Sequence, residues 1–216
     1  MTERLERSRT GLDDGLSAGI ADFLDQCRST IGKLDQERLS AIVECLLDVW
    51  RSGGKVFVMG NGGSASTASH FAADLAKYTI VGDKPRFKVI GLTDNVPLVS
   101  AWTNDGGFSS IFAEQLAPWI ERGDALVGFS VHGGSGSGDA GPWSQNMILA
   151  IRAARDAGAY VIGFSGFDGG AMAKLADHCV TVPVLVDDLG TPVVESMHVL
   201  LHHLVVHSLR VRIARD

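Results

Sequence analysis

The sequence predicts a doubly wound α/β fold with a five-stranded parallel sheet. Short apolar segments rich in β-branched residues alternate along the chain with longer segments whose apolar residues recur at helical spacing. Most connecting segments are short, and the first of them is a glycine-rich turn between a strand and a helix. This alternation is typical of parallel sheets whose two faces are both covered by helices.

Two amphipathic helices are predicted before the first strand, over residues 16–31 and 35–52, and a pair of glycines ends the second helix. A minimal doubly wound fold does not contain them, so their apolar stripes are expected to pack against the sheet domain or another subunit. We therefore expect a single domain in which residues 1–53 serve oligomerisation and residues 54–216 form the α/β core.

The strands and the longer helices of the core follow from the apolar periodicity. Strands are predicted at residues 56–59, 87–92, 125–129, 160–164 and 180–184. The first strand is followed by a helix that ends near residue 78, and further helices are expected at residues 108–119, 144–157 and 192–211. Pro192 suits the first turn of the last of these helices.

Composition excludes several classes of function. At 216 residues and a formal net charge of -6, with no basic cluster before the last few residues, the chain is a poor candidate for nucleic-acid binding. Its three cysteines are unclustered, which disfavours both a disulfide framework and a zinc knuckle. The polar start lacks a signal-peptide core and no apolar run is long enough to span a bilayer. We expect a cytoplasmic protein with no nucleic-acid or membrane partner.

The turn after the first strand, Gly60-Asn61-Gly62-Gly63-Ser64, predicts a binding site for an oxyanion or sugar hydroxyls. Its glycines allow close approach to the backbone, and free N–H groups at the start of the next helix attract anions. The turn matches neither the dinucleotide-binding pattern nor a Walker loop. A tight turn without a ligand is the alternative.

Ligands of doubly wound sheets bind at the carboxyl ends of the strands. The loops expected at that edge carry the polar residues Asn61, Ser64, Asp94, Ser130, His132, Ser135 and Ser165. Polar, glycine-rich loops suit a phosphorylated, hydroxyl-rich small molecule better than an apolar one. The glycine-rich segment 130–143 is a second candidate anion loop, although it has the composition of a flexible linker as well.

Imidazole and carboxylate groups recur at helical spacing. His70 and Asp74 are four residues apart on one predicted helix, and Glu195 and His203 are eight apart on another. If the two helices meet, these groups form either a divalent-metal site or an acid–base pair. The last helix also carries His198, His202 and His207, so its histidines cannot all be catalytic. His198 and His202, four residues apart, are an alternative functional face.

Several segments resemble the sugar isomerase (SIS) domain family, and within it the phosphoheptose isomerases. The resemblance covers the chain from about residue 16 to the end and is carried by GNGGSASTASHFAADL, LTDN, WTNDGGF, GFSGFDGGAMAKLAD and VESMHVLLHHLV. It implies an aldose–ketose isomerase that converts sedoheptulose 7-phosphate to a D-glycero-heptose 7-phosphate. It also implies a homotetramer with active sites between subunits.

The resemblance implies site residues by position. The catalytic residues are His203, Asp74, where the family has Glu, and Glu195, where it has Gln. A divalent ion such as Zn²⁺ would be held by His70, Asp74, Glu195 and His203, a set whose extra charge suits zinc. The substrate-binding positions are Asn61, Gly62, Ser64, Asp94, Ser130, His132, Ser135 and Ser144. Here His132 replaces a serine of the phosphate loop, and Pro192 stands where the family has a substrate-binding Asp.

Three other functions are compatible with these patterns. The first is a non-catalytic SIS adaptor of the replication-initiation regulator type, which Asp74 and His203 disfavour. The second is a sugar-phosphate-binding regulatory domain, a module usually fused to a DNA-binding domain. The third is an isomerase of another sugar phosphate, which the unusual segment 132–143 leaves open.

Overall fold

The computed structural model describes residues 14–134, 144–184 and 187–216. Its sheet has five strands: β1 (Lys55–Gly60), β2 (Lys88–Gly91), β3 (Ala125–Phe129), β4 (Tyr160–Gly166) and β5 (His178–Val182). The strands are all parallel, in the order β2-β1-β3-β4-β5. The predicted fold class is therefore confirmed.

Eight helices lie within the described part of the chain. They are α1 (Asp14–Ile31), α2 (Gln36–Arg51), α3 (Gly63–Lys77), α4 (Val96–Gly106), α5 (Ala113–Leu116), α6 (Gln145–Asp156), α7 (Gly170–Leu175) and α8 (Asp187–Ile213). A bilayer-spanning helix, which must be both long and strongly apolar, does not occur among them.

Helices cover both faces of the sheet because the strands are apolar on both. In β1, Val56 and Val58 belong to a core shared with α2, α3 and α8. The alternate residues Phe57 and Met59 belong to a second core, shared with α5, α6 and α7. Successive side chains of a strand point to opposite faces, so a strand without alternation of polarity is buried on both sides.

The two N-terminal helices differ in how far they are buried. The apolar stripe of α2, including Ile42, Leu46 and Val49, lies in the core, and Asp35 caps this helix by accepting a hydrogen bond from the Arg38 N–H. Helix α1 packs against α8 along one side. Its other side exposes a stripe of large apolar residues, Leu16, Ile20, Leu24 and Ile31.

Among the element boundaries that differ from the sequence-based prediction, three have an identifiable cause. Strand β5 begins two residues earlier than expected, because His178 pairs in register with Ile162 of β4. Helix α8 begins at Asp187, so Pro192 lies inside the helix and not in its first turn. The helix expected over 108–119 contracts to α5, since a turn in which the Ser110 N–H donates to the Gly107 carbonyl precedes it.

Candidate active site

The carboxyl ends of β1 and β3 border a small polar cavity of about 150 Å³. Its lining combines both predicted anion loops with the last helix, through Asn61, Ser64, Phe129, Ser130, Val131, His132, Gly134, Ser144 and Glu195. Ser64 lies in the first turn of α3, where backbone N–H groups have no intrahelical acceptor. The cavity is smaller than a typical small-molecule site, so it fits one end of a sugar phosphate.

Asn61 is held by a second asparagine. Its Nδ2 donates to Oδ1 of Asn146 over 3.0 Å, and Asn146 Nδ2 donates back to Asn61 Oδ1 over 2.8 Å. Asn146 is fully buried at the start of α6. Ser144 caps this helix in a left-handed conformation, with φ of 55°, and its Oγ lies 3.4 Å from Asn61 Nδ2. The first glycine turn and the start of α6 are thereby fixed to each other.

The loop after β3 is anchored to the loop after β4. The Gly134 N–H donates to Ser130 Oγ over 3.2 Å, and the Met172 N–H donates to the Gly133 carbonyl over 2.8 Å. The ring of His132 stacks on Phe167 with centroids 4.5 Å apart. These contacts hold the described part of the loop in place. Ser135, another predicted substrate contact, falls outside the described residues.

Asp94 occupies a separate place at the end of β2. Its carboxylate accepts hydrogen bonds from Ser69 Oγ and from Thr93 Oγ1, the latter over 3.2 Å, and it packs against Gly91. It is not among the residues that line the 150 Å³ cavity. Gly62, whose φ is 57°, is the N-cap of α3 and contributes backbone only.

Helices α3 and α8 bring together four groups that are able to bind a metal. The ligand atoms of His70, Asp74, His202 and His203 all lie within 4.8 Å of one another. Asp74 is central: its Oδ2 is 3.6 Å from His70 Nε2, 3.4 Å from His202 Nε2 and 3.6 Å from His203 Nε2. His70 and His203 are exposed, whereas His202 is fully buried. We call these four residues the histidine cluster.

Two buried histidines on α8 are held neutral. Burial, together with the neighbouring imidazoles of His203 and His70, lowers the pKa of His202 to about 4. Burial also lowers the pKa of His198 to about 4, and its Nε2 lies 3.2 Å from the Ser165 carbonyl oxygen. The two ring nitrogens of His202 have no hydrogen-bond partner among the described residues. Unsatisfied buried polar groups are costly and call for an explanation.

Glu195 lies next to Gly63 at the start of α3. A Cβ placed on Gly63 would be 2.3 Å from Glu195 Oε1, so a larger residue at position 63 would displace this carboxylate from its present position. Glu195 lines the 150 Å³ cavity, and it also lines an open hollow of about 330 Å³ that extends to His70. It therefore stands between the polar cavity and the histidine cluster.

The structure groups three of the four metal ligands expected from the sequence, His70, Asp74 and His203, and the fourth, Glu195, shares the hollow of about 330 Å³ with His70. Five of the eight expected substrate contacts line one cavity, whereas Gly62 and Asp94 do not, and Ser135 lies outside the described residues. From the sequence, His202 is expected only as part of an alternative face with His198. Its position beside His203 is the feature of the sequence that could have indicated its place in the cluster. Adjacent residues of one helix can both face the same neighbouring helix.

A family model described as a SIS domain matches residues 21–166 of the chain. The chain is 48% identical over 184 residues to lincomycin biosynthesis protein LmbN of Streptomyces lincolnensis, covering 85% of this chain and 66% of that protein. It is 35% identical over 191 residues to a phosphoheptose isomerase of Aliarcobacter butzleri, covering 87% and 93%. The structure of phosphoheptose isomerase GmhA from Neisseria gonorrhoeae matches with a TM-score of 0.77 and 28% identity, covering 92% of this chain and 98% of that one.

Proposed function

Because this chain belongs to the SIS-domain family and to its phosphoheptose isomerase branch, we propose that it interconverts a ketose phosphate and an aldose phosphate, with sedoheptulose 7-phosphate as the ketose. The observation that carries the proposal is the position of Glu195. Its carboxylate lies between a polar cavity at the start of α3 and a hollow that reaches His70. One end of the sugar phosphate would occupy the cavity, and its reacting carbons would lie towards the histidine cluster.

The isomerisation moves a proton between C1 and C2 of the sugar through an enediol. A base removes the proton from carbon, and an acid supplies a proton to oxygen. We assign these transfers to His203 and one carboxylate, Asp74 or Glu195. All three face the groove between α3 and α8, and His203 is exposed enough to contact substrate.

The phosphate would bind where the first glycine turn meets the start of α3. Free N–H groups and the positive end of the helix dipole favour an anion there. Ser64 and Ser130 place hydroxyl groups at the same cavity, and Asn61 is oriented towards it by Asn146. Gly62, Ser144 and His132 border this region, and Asp94 and Ser135 complete the proposed set of substrate contacts.

The donors of the histidine cluster fit a Zn²⁺ ion. Imidazole nitrogens and carboxylate oxygens are common zinc ligands, and the unpartnered nitrogens of buried His202 are the kind of group that a metal satisfies. His70, Asp74 and His203 would hold the ion. When bound, it would polarise the carbonyl and hydroxyl oxygens of the sugar.

A different sugar phosphate is the second candidate substrate. The 48% identical relative is named for lincomycin biosynthesis, so its substrate need not be the heptose phosphate of the isomerases. The position of His132 supports this alternative. An imidazole stacked on Phe167 replaces a small hydroxyl at the cavity and changes both its size and its hydrogen-bonding groups.

We also propose that the enzyme is a cytoplasmic homotetramer with active sites between subunits. The exposed apolar stripe of α1 supports an oligomer, because large contiguous apolar surfaces usually mark contacts with other chains. The stripe continues at Ile31 into an apolar groove of about 610 Å³ between α1, α2 and α8. The three cysteines Cys27, Cys45 and Cys179 are all free thiols, as expected in a reducing compartment.

The first test is turnover of sedoheptulose 7-phosphate in D₂O, followed by NMR. We expect an aldose product with deuterium at C1 or C2, and we expect loss of turnover on chelation with recovery on adding Zn²⁺. His203→Ala should lower the rate by about 10²-fold or more. His207→Ala, an exposed histidine one turn further along α8 and outside the cluster, should not.

Full activity of His203→Ala would refute the assignment of proton transfer to His203. No exchange and no product under any metal condition would leave two readings, an isomerase of another sugar phosphate or a non-catalytic SIS adaptor. A panel of other ketose phosphates in the same assay separates the two, since an adaptor turns over none of them.

A further inference from the structure

We propose that Phe167 is a positioning residue for the phosphate of the substrate. Its ring holds the imidazole of His132 at the polar cavity of about 150 Å³, and Gly190 of α8 leaves the space that this ring occupies. The inference deepens the proposed function, and it rests on that function for the presence of a phosphate in the cavity.

His132 differs in charge from the other residues of the cavity. Among the described residues that line it, His132 is the only one whose side chain can carry a positive charge, whereas Glu195 is an acid. The other polar side chains are hydroxyls and one amide, from Asn61, Ser64, Ser130 and Ser144. An imidazole has a ring N–H donor in both of its protonation states. A phosphate in this cavity would therefore gain from His132 a donor that opposes the repulsion from the nearby carboxylate.

The backbone on each side of His132 is fixed by the loop after β4. The Gly166 N–H donates to the Val131 carbonyl over 2.9 Å, and the Met172 N–H donates to the Gly133 carbonyl over 2.8 Å. The His132 side chain itself is exposed. The freedom that remains to this residue is therefore the rotation of its imidazole.

Phe167 restricts that rotation. The two rings stack with their centroids 4.5 Å apart and their planes inclined by 24°, an arrangement that is favourable for aromatic pairs. Ordering a side chain when a ligand binds weakens affinity, and a ring that is already held avoids this cost. Stacking on Phe167 thus prepares His132 to donate to a phosphate.

The backbone of Phe167 is unusual for a large side chain. Its φ is 53°, in the left-handed region, within a turn that the Gly169 N–H closes on the Gly166 carbonyl over 2.9 Å. Glycine adopts this conformation more easily than a bulky residue does. The aromatic ring therefore occupies a position that costs backbone energy, and such positions are often functional.

Gly190 leaves room for the edge of the Phe167 ring. A Cβ on Gly190 would lie 2.4 Å from Phe167 Cζ and 2.8 Å from its Cε1. Gly190 is buried near the start of α8. The ring thus lies between His132 and this helix, and a methyl group at position 190 would displace it.

The first test measures binding of inorganic phosphate to the full chain by calorimetry, without sugar. His132→Ala should weaken binding by about tenfold or more, since it removes a hydrogen bond to a charged group. Phe167→Leu and Gly190→Ala should each weaken it by about 3- to 10-fold, through loss of the stack. Alanine favours a helix more than glycine does, so Gly190→Ala moves the ring without weakening α8 itself.

Double variants separate positioning from general damage to the loops. If Phe167 acts through His132, Phe167→Leu and Gly190→Ala should change the phosphate affinity of the His132→Ala protein by less than about twofold. Damage to the loops would weaken phosphate binding to the same extent whether or not His132 is present.

The kinetics of the single variants distinguish binding from chemistry. Phe167→Leu and Gly190→Ala should raise KM for sedoheptulose 7-phosphate and leave kcat within about twofold of the wild type, because the phosphate is bound equally in the ground and transition states. Tyr160→Leu is the matched control, since it removes an exposed aromatic ring from the opposite end of β4. It should change neither KM nor phosphate affinity.

Wild-type phosphate affinity in any of the three single variants would overturn the inference. Losses that persist in full in the His132→Ala protein would also overturn it, as would a fall in kcat at unchanged KM or a wild type that binds no inorganic phosphate. Phosphate binding is measured without sugar. A chain that turns over no sugar would therefore refute the isomerase assignment and leave the coupling between His132 and Phe167 in place.

Discussion

Asn61 and Asn146 form a reciprocal pair of amide hydrogen bonds at the edge of the cavity. Because Asn146 is fully buried, Asn61→Ala would leave its Nδ2 group without an acceptor. We expect this variant to lower the free energy of unfolding by about 1–3 kcal/mol, the cost of an unsatisfied buried group. Urea denaturation measures the change.

The double variant Asn61→Ala/Asn146→Ala shows whether the two amides act as a pair. Removing both partners leaves no unsatisfied group, so the combined loss should be about 1–2 kcal/mol smaller than the sum of the single losses. Additivity within about 0.5 kcal/mol would mean that the pair contributes no coupling.

His198 makes stability depend on pH. Its pKa is about 4 in the folded protein and about 6.5 in an unfolded chain, so between these values the unfolded state binds more protons. The free energy of unfolding should be highest above pH 6.5 and fall as the pH drops towards 4, by up to about 1.4 kcal/mol per pH unit from this residue. His202 acts in the same direction.

Chemical denaturation of wild type and His198→Asn at several pH values between 4 and 7 tests this effect. The variant should show a pH slope that is shallower by the contribution of one histidine. An unchanged slope would contradict the assignment of a depressed pKa to His198.

At the scale of elements, two adjacent glycines in the loop after β3 would respond differently to substitution by alanine. One change would add only backbone strain, and the other would also add a steric clash. Both have positive φ, 66° at Gly133 and 80° at Gly134. A Cβ on Gly133 would lie 1.9 Å from the Gly169 carbonyl oxygen, whereas a Cβ on Gly134 would meet only Ile148, at 3.4 Å. Gly134→Ala therefore adds only left-handed strain of about 1–2 kcal/mol.

Gly133→Ala should cost clearly more than Gly134→Ala, because the loops after β3 and β4 must separate to admit the methyl group. We expect weaker binding of inorganic phosphate as well as a lower melting temperature, measured by calorimetry. Equal melting temperatures for the two variants would show that these loops are not tightly packed together.

The order and type of the core elements were predictable from the sequence because their signals are local. The apolar run of β3 predicts its bounds without error, and Asp35 and the glycine pair after α2 enclose that helix. The start of β5 was not predictable, because the polar residue His178 joins the strand through pairing with Ile162. The start of α8 was not predictable either. Pro192 suggests the first turn of a helix, but α8 continues on both sides of it.

At the scale of the molecule, the exposed stripe on α1 predicts a contact between subunits. Ile20→Glu should convert the proposed tetramer to smaller species, because it places a charge where apolar surface would be buried. Light scattering after size-exclusion chromatography measures the mass. Leu149→Glu, which adds the same charge to an exposed apolar position on α6, should leave the mass unchanged.

The composition of the site was only partly predictable for a reason at this scale. Spacing shows which residues share a face of α8, but not which face meets α3. That rotation is set by buried apolar residues such as Met197, Leu201 and Val205, which dock the helix on the core. It turns His202 towards Asp74, an outcome that depends on contacts across more than a hundred residues of chain.

Helix α8 follows all five strands in the chain, yet it carries Glu195 and two members of the histidine cluster. During translation, a nascent chain can therefore complete its sheet before it possesses any working centre. Apolar surface on this sheet would stay exposed until α8 docks through Leu201 and Val205. The same docking step brings Glu195, His202 and His203 to the site. Formation of the groove between α3 and α8 and protection of the sheet from aggregation should thus occur together, when α8 docks.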